Sequence, residues 1–63
     1  SKGKAVQMYA PLEREIEEAS AVAFQIKASD LSDEVKQEKL TQLRQDFLQA
    51  ISGMGITQYK PEF

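Results

Sequence analysis

Apolar residues fall in two stripes along the chain. The first is Leu12, Ile16, Ala19, Ala23 and Ile26; the second is Leu40, Leu43, Phe47 and Ala50, with Ile51 beside it. Both advance by alternating steps of three and four, the spacing of one face of an α-helix. Between them, Ala28-Ser29-Asp30-Leu31-Ser32-Asp33-Glu34 reads as a loop running into a helix restart. The pattern predicts an all-α fold, an antiparallel two-helix hairpin with Leu12, Ile16, Ala19, Ala23 and Ile26 packed against Leu40, Leu43, Phe47 and Ile51. Two helices alone do not bury all of their apolar surface, so the hairpin is expected to pair with a second copy as a four-helix bundle.

The boundaries follow from local chemistry. Proline removes a backbone N–H and crowds the preceding turn, which suits the first position of a helix. The first helix is therefore predicted over residues 11–28, starting at Pro11; a kinked helix running through Pro11 is the lesser alternative. Glu13, Glu15, Glu17 and Glu18 then fall in its first two turns, where the helix dipole favours negative charge. Ala19-Ser20-Ala21-Val22-Ala23 offers small side chains that let a partner helix approach closely. Ser32 is a good N-cap for a second helix over 33–52, with Asp33 and Glu34 in its first turn and Leu31 placed to pack over its start. Position N3 is Val35, so a full capping box is absent. Gly53 is expected to end the helix in a left-handed conformation.

This leaves residues 1–10 as a lead-in segment, 11–52 as the hairpin and 53–63 as a C-terminal tail. In the lead-in, Val6, Met8 and Tyr9 could pack back on the hairpin, and Ala5 and Tyr9 continue the phase of the first stripe. The tail has no helical period yet carries Ile56, Tyr59 and Phe63. It is expected to dock on the hairpin or on another chain.

Size sharpens the need for association. A chain of 63 residues buries only about 60% of its unfolded surface, and small domains add disulfides, a metal or a partner. There is no Cys and no His, which removes disulfides and the usual zinc ligands. A formal charge of −2 with interspersed signs gives no basic face for nucleic acid. No apolar run approaches the roughly 18 residues of a membrane span, and no secretory h-region is present. The expectation is an intracellular, cytoplasmic chain.

Candidate chemistry is sparse. Glu13 and Glu17 share a helix face, but the Glu-x-x-His partner of bundle di-metal sites is missing. Arg14 stands four before Glu18 and can pair with it, so these carboxylates read as a solvated face. Asp30 to Glu34 looks acidic enough for a calcium loop, yet Val35 stands where the loop needs Gly and Thr41 where it needs Glu. Gly53-Met54-Gly55 follows a helix instead of opening one, unlike a phosphate loop. Ser20, Ser29, Ser32 and Ser52 have no His to activate them. No catalytic residue, cofactor, metal or small-molecule substrate is expected, and the chain reads as non-enzymatic.

The remaining candidates are apolar groups that hairpin packing does not need. Phe24 lies roughly 100° from the first stripe and Leu48 about 100° from Phe47. Single exposed apolar residues are common, but here, with the tail's Ile56, Tyr59 and Phe63, they are the expected partner-binding residues. The leading expectation is a small protein-protein interaction module: an adaptor, regulator or assembly subunit. The alternatives are an accessory piece of a larger enzyme or machine, and a nucleic-acid-binding hairpin. The length and helix-loop-helix plan are similar to those of small dimeric hairpins such as the RNA-binding Rop type, but the residues do not match that pattern and the basic face such binding needs has no counterpart here.

Overall fold

A computed structural model describes the backbone from Lys2 to Phe63 and the side chains from Ala10 onward. It contains two helices and, among the described residues, no strand: α1 is Lys2–Ala28 and α2 is Asp33–Ser52. They pack against each other as a hairpin. The α2 bounds agree with the sequence-based expectation; the start of α1 does not. The helix runs through Pro11, whose ring lies on the exposed face. Water can therefore solvate the carbonyl that loses its donor, which lowers the penalty of an interior proline. One consequence is that Glu13 to Glu18 sit in mid-helix and α1 has no acidic residue in its first turn, so the dipole argument for them fails. The expected packing of Val6, Met8 and Tyr9 lies outside the described side chains.

Both stripes face inward. Leu12, Ala19 and Ala23 are buried from α1, and Leu40, Phe47 and Ile51 from α2, with Ile16, Ile26 and Leu43 half-buried around them. Ala23 and Ile51 are each 1% exposed, one near the loop end of the hairpin and the other near its far end, so the core runs the length of α2. Ala50 is exposed, and Ile51 takes the inward place. A straight helix turns 100° per residue, so after two turns Ile51 lies nearer the Leu40–Phe47 line than Ala50.

Hydroxyl and amine groups close the interhelix loop. The Ser29 hydroxyl donates to the Ile26 carbonyl at 2.7 Å. Ser32 is the N-cap of α2, its hydroxyl accepting the Val35 N–H at 3.2 Å, which satisfies one of the orphan donors of a helix start. Lys36 Nζ donates to the Lys27 carbonyl at 2.9 Å. A cation from the first turns of α2 thus sits on the free carbonyls, and the negative dipole end, of α1. Leu31, expected over the helix start, stays 39% exposed.

The end of α2 turns the tail back. Gly53 is right-handed (φ −63°), against the expectation, and Gly55 is the left-handed residue (φ +85°). The Ile56 N–H bonds to the Ile51 carbonyl at 3.1 Å and the Gly55 N–H to the Ser52 carbonyl at 2.9 Å. These six-to-one and five-to-two bonds are a Schellman motif centred on Gly55, with Ile56 in the position whose apolar contact accompanies the motif. The reversal sends Tyr59 and Phe63 along α2. Both rings meet Phe47, Tyr59 at 5.6 Å between centroids and Phe63 at 5.1 Å. Arg44 Nε donates to the Phe63 carbonyl at 2.9 Å.

Candidate interaction surface

The tail and an open groove occupy opposite flanks of the hairpin. Arg44, which holds the tail, and Leu43 are adjacent on α2 and so point about 100° apart. On the Leu43 flank the two helices leave a trough of about 220 Å³ with Ala19, Val22, Leu43 and Phe47 in its floor and walls. It continues toward the loop past Ile26 and Lys39. Val22 is 43% exposed, a β-branched side chain on the lip of an apolar trough.

Charge is unevenly laid along the trough. Glu15, Glu18 and Asp46 flank one end; Lys39 and Gln42 stand at the other. Gln42 Nε2 donates to Asp46 Oδ1 at 2.9 Å, which holds the carboxylate along its own helix and leaves its other oxygen free to accept. The trough is an open groove between the helices, not an enclosed cleft. Among the described residues, no group of three or more acidic side chains is placed to hold a metal ion. No described helix is long and apolar enough to cross a membrane.

The five sequence-picked residues do not form one surface. Ile56 and Tyr59 pack against the core cluster and Phe63 belongs to it, at 9% exposure. Phe24 is 73% exposed and Leu48 38%. Phe24 lies one turn from the loop end of α1 and Leu48 one turn from the far end of α2, so in an antiparallel hairpin they stand at opposite ends. The residues passed over are Val22, Lys39 and Asp46. Their signal was available: each lies about 80–120° from its stripe on the flank away from Phe24, at 100° per residue.

Comparison with protein-family models, with curated proteins and with solved structures finds no match. The functional reading therefore stands on the geometry.

Proposed function

We propose that this chain is a small, non-enzymatic protein-protein interaction module that works through its apolar helix faces and pairs with a second copy as a four-helix bundle. The observation that carries this reading is the one-sided covering of the hairpin. The tail packs along the Arg44 flank, where Phe24 at the loop end stays exposed, and leaves the Val22–Leu43 flank uncovered.

The size of the core supports it. Among the described residues seven hydrophobic side chains are buried, two of them alanines, which is little for a monomer without disulfide or metal. Pairing over the trough would bury Val22 and finish burying Leu43 and Ile26, at about 25 cal/mol per Å² of apolar surface removed from water.

The test is the solution mass by sedimentation equilibrium over a wide concentration range, with helicity recorded on the same samples. A helical species of twice the chain mass that dissociates on dilution supports the proposal. A helical monomer at every concentration rejects it.

A further inference from the structure

We infer that the second copy docks on the Val22–Leu43 trough in antiparallel orientation, so that Lys39 of each copy meets Asp46 of the other. This rests on the self-pairing reading above and adds its orientation.

Lys39 and Asp46 both line the trough and both are exposed. They are seven residues apart on α2, which is two turns, about 10 Å along the axis and nearly the same direction around it. Leu43 lies at their midpoint. Val22 borders the trough together with Leu43 in both of its halves, so it stands near the same level on α1.

A face-to-face pair of identical hairpins has its two-fold axis in the plane of contact, because such an interface is isologous. Two orientations bring the helices into line. With the axis along the helices, each α1 lies on the partner's α2 at the same level. Glu18 then falls opposite Asp46 of the other copy, twice, and Lys39 falls opposite the apolar stretch around Ile26. With the axis across the helices at the level of Leu43, each α2 lies on the other α2 running the opposite way. Lys39 then falls opposite Asp46, twice, Val22 opposite Val22, and Glu18 opposite the apolar stretch around Ile26. The first arrangement sets like charges against each other, and the second joins opposite ones. Electrostatic complementarity of this kind fixes register and orientation more than it adds affinity.

The test uses charge reversal and engineered thiols on the whole chain. Asp46→Lys and Lys39→Asp should each weaken the dimer roughly tenfold, as two favourable pairs become two unfavourable ones. The double variant, with both charges exchanged, should restore wild-type affinity. The chain has no Cys, so an introduced cysteine is its only thiol. Val22→Cys should oxidise to a disulfide-linked dimer, and Lys39→Cys mixed with Asp46→Cys should give the mixed dimer in preference to either homodimer. The arrangement with the axis along the helices predicts the opposite: Asp46→Lys tightens the dimer by meeting Glu18, Lys39→Asp has no effect, and Val22→Cys does not cross-link. That outcome overturns the antiparallel orientation and leaves self-pairing standing. A wild-type chain that is monomeric throughout overturns both.

Discussion

Phe63 stands edge-on to Phe47, with centroids 5.1 Å apart and ring planes at 88°. The positive rim of one ring meets the negative face of the other, the geometry that aromatic pairs prefer. This contact joins the last residue of the tail to the middle of α2 and makes the tail part of the core.

Phe63→Ala should therefore destabilise the fold by about 3 kcal/mol, read as a lower urea midpoint. The Phe47 and Phe63 truncations should also be non-additive, with a coupling of about 1 kcal/mol in a double-mutant cycle. Additive losses would mean that the two rings do not meet in solution.

The two glycines that follow α2 should behave oppositely. Gly55 has φ +85° with nothing within 4 Å of where a Cβ would sit, so Gly55→Ala meets only backbone strain, about 1–2 kcal/mol. Its Tm should fall by about 4–8 °C per kcal/mol in a chain of this size. Gly53 is right-handed, and an added Cβ would approach the Ala50 carbonyl at 3.3 Å, a close but helix-like distance. Gly53→Ala should lie within about 0.5 kcal/mol of wild type, since the lost unfolded-state freedom offsets the crowding. Thermal melts of the two variants side by side decide the matter; equal losses would contradict the assignment of the turn.

Much of the fold was legible in the sequence because it depends on a period. The steps of three and four gave the facing stripes, and Ser32 gave the start of α2. Three features were not legible from local rules. Pro11 reads as a helix start by propensity, but propensity alone does not register that its ring faces solvent. Gly53 and Gly55 are equally good stops by type, and only the bonds of Ile56 and Gly55 back into α2 distinguish them. The tail has no period, so the inward placement of Tyr59 and Phe63 depends on the turn at Gly55 and on Phe47. The trough was half legible: Val22 sits on the flank of its stripe, but the sequence does not show which flank the tail covers.

The loop predicts a smaller effect. Ser32→Ala removes the acceptor for the Val35 N–H and should cost about 1 kcal/mol, with Ser32→Asp restoring most of it through the same bond and the helix dipole. Chemical denaturation of the three proteins measures this. An unchanged midpoint in Ser32→Ala would show that the cap contributes nothing.

The proposed docking face is the Val22–Leu43 trough and not the exposed Phe24. Sedimentation equilibrium of the wild type, Val22→Glu and Phe24→Ser decides between them. A helical dimer is expected for the wild type and for Phe24→Ser. Val22→Glu is expected to be monomeric at concentrations where the wild type is dimeric, because a carboxylate on the lip of an apolar interface is buried without a partner. A Val22→Glu dimer as tight as the wild type, or dissociation caused by Phe24→Ser instead, would contradict it.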